Sequence, residues 1–285
     1  MNFMTDRNKG IVFILMAGIF FSMMSVFIRL SGDLPIMEKA LFRNAIAAVI
    51  AWTIILKKKE SLRFGKRNIP AMFMRCACGT IGLICNFYAV SNLNISDANL
   101  LNKLSPFFAI IMSIFVLKEK AKKWEWGIVF LAFGGAVLVI KPGFSINSFP
   151  AFIGLLGGLG AGVAYAFLRQ MGKNGVKGSV IVMCFSTFST LVILPGVFMD
   201  FKPFTALQFV CLLGIGLAAA GGQLSITAAY TYAPAKEISV FDYVQVIFAA
   251  IWGFLFFGQI PDWISILGYV VIFTAAIIRF RMNKK

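Results

Sequence analysis

Two long apolar stretches of this sequence carry polar side chains at intervals of three residues. The two series are Ser239, Asp242 and Gln245 and, earlier in the chain, Asn99, Asn102 and Ser105. In a helix this spacing places the members of a series on one side. We expect the two stripes to line a cavity that binds a polar ligand. The alternative is that they only hydrogen-bond to neighbouring helices, which contributes about 0.6 kcal/mol each.

Basic side chains in equally apolar surroundings indicate what the ligand carries. Arg43 and Arg75 each offer a permanently charged guanidinium group that can bind a carboxylate or a phosphate through two parallel hydrogen bonds. Asn86 lies on the helical face of Arg75, eleven residues later. We expect these three residues to orient an anionic group. The alternative is that the arginines reach opposite membrane interfaces or neutralise Glu38 and Asp97.

The other candidates for a substrate site are polar or aromatic residues of the apolar stretches. They are Asn99, Asn102, Lys103, Tyr165, Ser239, Asp242, Tyr243 and Gln245. Tyr243 adjoins Asp242, whereas the tyrosines elsewhere are explained equally well as anchors at the membrane interface. Asp242 is the one acidic residue well inside an apolar stretch. It is therefore the candidate for carrying a coupling proton.

Several kinds of chemistry are excluded by residue types and spacing. The sequence holds no histidine, so histidine-ligated metals, Ser-His-Asp triads and histidine proton relays are ruled out. Its five cysteines form no CxxC pair and fall in predicted helices, where neither a metal site nor a disulfide framework is expected. The glycine-rich string at 154–162 lacks the GK[ST] ending of a phosphate-binding loop. Its Gly154, Gly158 and Gly162 form one helical face suited to close packing. We expect no catalytic residue, no metal and no cofactor.

The composition is that of an integral membrane protein. Hydrophobic residues make up 60% of the 285 and charged residues only 13%, compared with about 25% in soluble domains. Apolar segments of about 20 residues, long enough to cross a bilayer as helices, recur along the chain. We place ten of them at 10–28, 36–56, 69–91, 96–117, 124–140, 150–172, 179–199, 206–229, 236–257 and 263–280.

The distribution of basic residues predicts how these helices are oriented. With both termini in the cytoplasm, the cytoplasmic segments hold 20 of the 27 lysines and arginines, in agreement with the tendency of basic loops to stay inside. The net charge of +16 is therefore a consequence of topology. We expect the basic loops to face anionic lipid headgroups and not to bind nucleic acid.

The sequence aligns with itself, almost without gaps, when it is shifted by 140 residues. The shift pairs Gly82 with Gly222 and superimposes the two polar series on each other. Each half holds five predicted helices, an odd number, so the halves run through the membrane in opposite orientations. We expect an all-α membrane fold of two inverted five-helix repeats, residues 1–145 and 146–285, with the substrate site between them at mid-membrane.

Four segments carry a resemblance to a known family. They are FRN at 42–44, FYAVSNLNISDANLLNKLSPFFAIIMSIFVLKEK at 87–120, VIKPG at 139–143 and DYVQVIFAAIWGFLFFGQIPD at 242–262. They resemble the drug/metabolite transporter superfamily in its EamA-like branch, whose arginine, proline and glutamate match Arg43, Pro106 and Glu119. Gln259 stands where that family usually has glutamate, and we expect this difference to affect a contact at a helix end more than substrate binding. The resemblance covers essentially the whole chain and implies ten helices in two inverted repeats.

These features predict a secondary-active carrier that works by alternating access through a central cavity. The expected substrate is a small metabolite, amino-acid-like or otherwise carboxylate-bearing. The alternatives are an uptake carrier for a zwitterionic or cationic metabolite such as S-adenosylmethionine, and a broad drug exporter. From other classes, an intramembrane enzyme would need clustered acids or a histidine, and a structural membrane subunit would show no saturable counterflow.

The expected partners follow from that function. Without an ATP site, transport must draw on a gradient, so the protein should interact with its small-molecule substrate, the lipid bilayer and either a coupling proton or a counter-substrate. We expect a multi-pass protein of the bacterial cytoplasmic (inner) membrane with both termini in the cytoplasm. Both a monomer and a homodimer fit the sequence.

Overall fold

The computed structural model describes residues 5–62, 65–116, 123–140, 148–232 and 239–282. Within these ranges the chain is helical and forms no β-strand. The helices are α1 (Asp6–Leu30), α2 (Ile36–Lys58), α3 (Ile69–Asn92), α4 (Ile95–Asn102), α5 (Ser105–Val116), α6 (Lys123–Ile140), α7 (Ser148–Lys173), α8 (Gly178–Met199), α9 (Ala206–Tyr232), α10 (Val244–Phe257) and α11 (Trp263–Met282). Short 3-10 helices lie at Lys66–Asn68 and at Ser239–Tyr243, and we call the second the 3-10 turn.

Seven helices of the described chain are long and apolar enough to cross a membrane. They lie at Asp6–Leu30, Ile36–Lys58, Lys66–Asn92, Phe149–Gly172, Gly178–Met199, Ala206–Ile226 and Trp263–Met282. A shorter apolar helix covers Phe241–Phe257. Large apolar side chains such as Phe198 and Trp263 are exposed on these helices, as is typical of surfaces that contact lipid. The chain is a multi-pass integral membrane protein.

The predicted spans 96–117 and 236–257 are not single regular helices. The first is divided into α4 and α5 by a turn after Asn102, and the second begins with the 3-10 turn. Pro106 explains the first break, because it has no N–H to donate to the carbonyl group of Asn102. Both breaks lie at equivalent positions under the 140-residue shift. Seven of the ten predicted spans correspond to helices long and apolar enough to cross a membrane, and α6 and the two interrupted segments lie at the positions of the other three. Ten membrane-crossing helices therefore stay a prediction.

The contacts between helices repeat under the same 140-residue shift. Helix α1 packs along α9 and α3 packs along α7, and the shift exchanges these two pairs. Helix α2 packs on α8 and α6 packs on α11, and the shift exchanges the members within each pair. Two equivalent halves related by a twofold axis would produce this pattern.

Glycines allow α7 to approach two neighbours closely. Gly160 faces α3, and a β-carbon added to it would lie 2.8 Å from the Cα atom of Gly82. On another side of α7, Gly154, Gly158 and Gly162 meet the α4–α5 segment, as their spacing of four residues predicts. Small residues at both contacts let α7 approach its neighbours closely. Helix α7 is thereby held against a segment that carries one of the polar series.

Gln259 connects the chain after α10 to the start of α4. Its Oε1 atom accepts the backbone N–H of Ile95, the first residue of α4, at 3.0 Å. This N–H has no acceptor within its own helix. The residue that departs from the family pattern therefore makes a contact at a helix end.

We expect Gln259→Met to lower the free energy of unfolding by about 1–3 kcal/mol, because the buried N–H of Ile95 loses its acceptor. Gln259→Glu should keep the melting temperature of the wild type or raise it slightly, because a carboxylate is favourable at a helix N-terminus. The measurement is thermal unfolding of the detergent-purified variants. Equal losses in both variants would contradict this role of the side-chain oxygen.

Candidate functional site

An ion pair joins the two interrupted segments at their breaks. Lys103, which directly follows α4, donates from Nζ to Oδ2 of Asp242 in the 3-10 turn at 2.7 Å. The two side chains are only 10% and 16% exposed. The hydroxyl group of Tyr243 donates to the carbonyl oxygen of Lys103 at 3.1 Å. Because Lys103 and Tyr243 are equivalent under the 140-residue shift, the two halves of the sequence meet here through corresponding positions.

Asn99 and Gln245, one from each polar series, hydrogen-bond to each other. Gln245 donates from Nε2 to Oδ1 of Asn99 at 2.5 Å, and Asn99 donates from Nδ2 to Oγ of Ser25 on α1 at 3.0 Å. Both amides are buried. The geometry of these two residues is that of hydrogen bonding across a helix interface, the alternative to a cavity lining. Asn102 is partly buried beside α7, and the side chain of Ser239 lies outside the described part of the chain.

Arg43 of α2 and Arg75 of α3 share one aromatic ring. Their guanidinium carbons lie 5.5 Å and 4.3 Å from the ring centroid of Phe185 on α8, within the range of cation–π attraction. Arg75 is only 8% exposed. Arg43 also donates to Oδ1 of Asn44 at 2.6 Å. Neither arginine forms an ion pair with a carboxylate among the described residues, and we call Arg43, Arg75 and Phe185 the arginine pair site.

Tyr165 of α7 lies at the edge of the arginine pair site. Its phenol group lies within electrostatic range of both guanidinium groups. The residue is 45% exposed, so it occupies a more open position than Arg75. The structure therefore brings together three of the predicted substrate-binding residues, from α2, α3 and α7, around a ring of α8.

Asn86 does not belong to that group. Eleven residues separate it from Arg75 along α3, which corresponds to about 16 Å at the rise of an α-helix. The backbone of Asn86 contacts Gly157 of α7, and the next residue, Gly158, contacts Asn102. Asn86 thus lies nearer to the level of the Lys103–Asp242 ion pair. Nη1 of Arg75 lies beside Gly79, one turn of α3 nearer to Asn86, so the joint binding of one anionic group by Arg75 and Asn86 stays a prediction.

Unpartnered buried polar atoms coincide with the predicted site residues. Among the described residues, the buried side-chain nitrogen and oxygen atoms without a hydrogen-bond partner are Glu38 Oε2, Arg43 Nε, Arg75 Nε, Asn86 Oδ1, Ser91 Oγ and Asp242 Oδ1. Four of these six atoms belong to residues proposed from the sequence for substrate binding. An unpartnered buried polar group costs about 1–3 kcal/mol, more when it is charged. A bound polar ligand would remove this cost, so these atoms mark where a ligand gains most.

The acidic residues that the sequence offers as partners for the arginines are engaged elsewhere. Glu38 accepts the backbone N–H of Lys202 at 2.6 Å. Asp97 accepts the hydroxyl group of Tyr269 at 2.7 Å. In the described part of the chain, neither acid forms an ion pair with Arg43 or Arg75, so these acids do not neutralise the arginines there. Phe185 is not among the residues predicted from the sequence. The predicted aromatic site residues are tyrosines, and the spacing of Phe185 does not distinguish it.

The described residues form a multi-pass helical protein whose helix pairs correspond under the 140-residue shift. They include an ion pair between the two halves of the sequence and two arginines, one buried and one half-buried, that have no counter-charge within the described chain. These are features of a membrane transporter. The model of the EamA-like transporter family matches residues 8–141 and, a second time, residues 149–281. The chain belongs to the EamA-like transporter family.

Individual relatives agree with this assignment. The chain is 30% identical to the pseudopaline exporter CntI of Pseudomonas aeruginosa, over 97% of this chain and 98% of that protein. It is 24% identical to human solute carrier family 35 member G1, over 92% of this chain and 76% of the human protein. A crystal structure of a protein with 13% sequence identity matches the fold with a TM-score of 0.69, over 98% of this chain and all of that chain. Its low identity makes it a likeness of fold alone.

Proposed function

We propose that this protein is a secondary-active carrier of a small carboxylate-bearing metabolite, and that Arg43 and Arg75 bind the carboxylate. The observation that carries this proposal is the pair of guanidinium groups on Phe185 without a carboxylate partner in the described chain. A buried charge without compensation is unfavourable by several kcal/mol. A ligand that supplies the missing negative charge therefore gains binding free energy at this place. Arginine also matches the two oxygens of a carboxylate geometrically.

Alternating access would use residues 1–145 and 146–285 as two inverted repeats that move against each other. The hydrogen bond from Tyr243 to Lys103 connects corresponding positions of the two halves, and the Lys103–Asp242 ion pair joins the halves beside it. Such contacts are the ones that relative movement of the halves would break and re-form. The interrupted segments beside them supply irregular backbone at which the chain can bend. Asn102 and Ser239 would line the cavity near this contact.

The same proposal includes the direction of transport, the orientation of the protein in the membrane and the coupling of transport to a gradient. A relative that is named an exporter, 30% identical over almost the whole chain, supports outward transport. The distribution of basic residues supports a bacterial cytoplasmic membrane location with both termini inside. Asp242 is the candidate proton carrier, because a proton on its carboxylate would remove the charge that holds Lys103. A counter-substrate is the alternative source of free energy.

A second candidate substrate class is a zwitterionic, amino-acid-like metabolite. Its support is the unpartnered Oδ1 atom of Asp242, which can accept a hydrogen bond from an ammonium group. The carboxylate end of such a molecule would still need the arginines. The two candidates therefore differ in whether binding also depends on Asp242.

The test first needs a substrate. Purified protein is screened by thermal shift against carboxylate-bearing metabolites, because a ligand that binds only the folded state raises the melting temperature. Counterflow of each hit is then measured in proteoliposomes. We expect Arg75→Gln to reduce the initial rate at least about tenfold, because a hydrogen bond to a charged group contributes about 1.5–3 kcal/mol.

The matched control is Lys57→Gln, which removes an exposed charge at the end of α2. It should transport at the wild-type rate. Arg75→Lys, which keeps the charge but loses the planar fork, should lie between the two. If folded Arg75→Gln protein transports every hit at the wild-type rate, the arginine pair site does not bind substrate.

A further inference from the structure

Arg75 differs from the other buried cations of the described chain in having no hydrogen-bond acceptor. Lys39, which is 2% exposed, donates from Nζ to the carbonyl groups of Gly32 at 2.8 Å and Ile28 at 3.2 Å. The buried cation Lys103 pairs with Asp242. Arg75 contacts the face of a ring and forms no hydrogen bond with the described residues. Lys39 binds carbonyl groups at a helix end and Lys103 forms an ion pair, but neither role applies to Arg75.

Arg43 is in nearly the same situation. Its one side-chain acceptor is Oδ1 of Asn44, the neutral amide of the next residue, and its Nε atom is buried without a partner. Both guanidinium groups therefore retain free N–H donors and a full positive charge beside Phe185. Two like charges beside one ring repel each other in a medium of low polarity. A ligand with a single negative charge can neutralise only one of these two positive charges.

We propose that the natural substrate carries two carboxylates, one for Arg43 and one for Arg75, with the intervening part of the molecule against the ring of Phe185. This inference rests on the proposed function and narrows its substrate class from carboxylates to dicarboxylates. Arg75, which donates no hydrogen bond to the described residues, would receive a carboxylate through two parallel hydrogen bonds. Arg43 would receive the second carboxylate through the donors that Asn44 does not occupy.

The experiment compares diacids with their monoamides, which have nearly the same shape and one charge less. Purified protein at pH 7.5, where both carboxylates of each diacid are ionised, is titrated with succinate, glutarate and adipate and with succinamate, glutaramate and adipamate. Inorganic phosphate is included because it presents two negative charges from a single group. The dissociation constants come from the dependence of the melting temperature on ligand concentration.

In the wild type we expect at least one diacid to bind about tenfold more tightly than its own monoamide, because one charge-assisted contact is lost in the amide. Arg43→Gln and Arg75→Gln should each reduce this ratio to within about threefold of one, since only one guanidinium group remains. Lys57→Gln should keep the wild-type ratio. Should Arg75→Gln fail to fold, Arg75→Lys takes its place and is expected to lower the ratio by a smaller factor.

Each other outcome overturns the inference. Equal binding of every diacid and its monoamide would show that the protein does not bind a second carboxylate. An unchanged ratio of diacid to monoamide affinity in both glutamine variants would show the same. Phosphate binding as tightly as the best diacid assigns the two arginines to a single dianionic group. If monoamides bind as well as diacids and still depend on Arg75, the dicarboxylate inference fails and the proposed carboxylate carrier stands. If neither these probes nor any carboxylate in the screen raises the melting temperature, both the dicarboxylate inference and the proposed carboxylate carrier fail.

Discussion

Replacing Lys103 by methionine is expected to stop transport and to lower the free energy of unfolding by about 3–5 kcal/mol, because it leaves the carboxylate of Asp242 buried without its cation. Asp242→Leu should do comparable damage by leaving the ammonium group of Lys103 alone. Both side chains are largely buried, and their atoms lie 2.7 Å apart. Thermal unfolding and counterflow are measured on both variants in the same preparation.

The double variant Lys103→Met with Asp242→Leu separates stability from transport. Removing a buried ion pair as a whole is often neutral or stabilising, whereas removing one partner is not. We therefore expect the double variant to recover most of the melting temperature and none of the transport, if the pair must break and re-form during the cycle. The two positions are in contact, so their effects on stability should be strongly non-additive.

The control for this prediction is the ion pair of Lys177 with Glu60, in which the lysine side chain is 59% exposed and the charged atoms are 3.9 Å apart. Lys177→Met should change the unfolding free energy by less than about 1 kcal/mol. Additive losses in the Lys103 and Asp242 variants, or wild-type transport in the double variant, would refute a role of this pair in the transport cycle.

The sequence predicts the place of this contact but not its chemistry. The 140-residue shift makes Lys103 and Tyr243 equivalent, and the hydroxyl group of Tyr243 does reach the carbonyl oxygen of Lys103. The ammonium group of Lys103, however, pairs with the preceding residue, Asp242. A shift compares positions one to one, whereas the partner of a long side chain depends on helix rotation and rotamers. Those are tertiary properties without a local signal.

At the arginine pair site, too, the sequence predicts the need for a contact but not the residues that make it. That Arg43 and Arg75 need a partner follows from charge in an apolar segment, and the sequence predicts it. Their meeting at Phe185 depends on how α2, α3 and α8 cross, which no periodicity encodes. Phe185 is one of 31 phenylalanines in the chain, and neither its neighbours nor its spacing distinguishes it. The break after α4 is only partly predictable, because Pro106 is visible in the sequence but a proline can also lie in the first turn of a helix.

The glycines of the two long helix pairs are not equivalent, although the shift superimposes the pairs. Between α3 and α7 backbone meets backbone, and a β-carbon on Gly160 would lie 2.8 Å from the carbonyl oxygen of Cys78. Between α1 and α9 a glycine meets a ring, and a β-carbon on Gly222 would lie 2.7 Å from the side chain of Phe21. A ring can turn aside, but a helix backbone can yield only if the whole helix moves.

Three glycine-to-alanine variants are therefore expected to destabilise the protein to different degrees. The loss should be largest where the new methyl group meets a helix backbone and smallest where it meets no other atom. Gly160→Ala should lower the unfolding free energy by about 1–3 kcal/mol, because α3 and α7 must separate. Gly222→Ala should have a smaller effect, because only Phe21 must shift. Gly134→Ala in α6, where no atom lies within 4 Å, should be neutral or stabilising by up to about 1 kcal/mol, because alanine favours the helix.

The measurement is the melting temperature of the three variants beside the wild type, with counterflow as the second readout. We expect Gly160→Ala to lose transport as well as stability, because separation from α3 would also displace the face of α7 that holds the α4–α5 segment and Lys103. A loss in Gly134→Ala as large as that in Gly160→Ala would mean that helix propensity, not the contact between backbones, decides the effect. Equal losses in Gly160→Ala and Gly222→Ala would mean that the α3–α7 and α1–α9 contacts tolerate an added methyl group equally, which contradicts the predicted order.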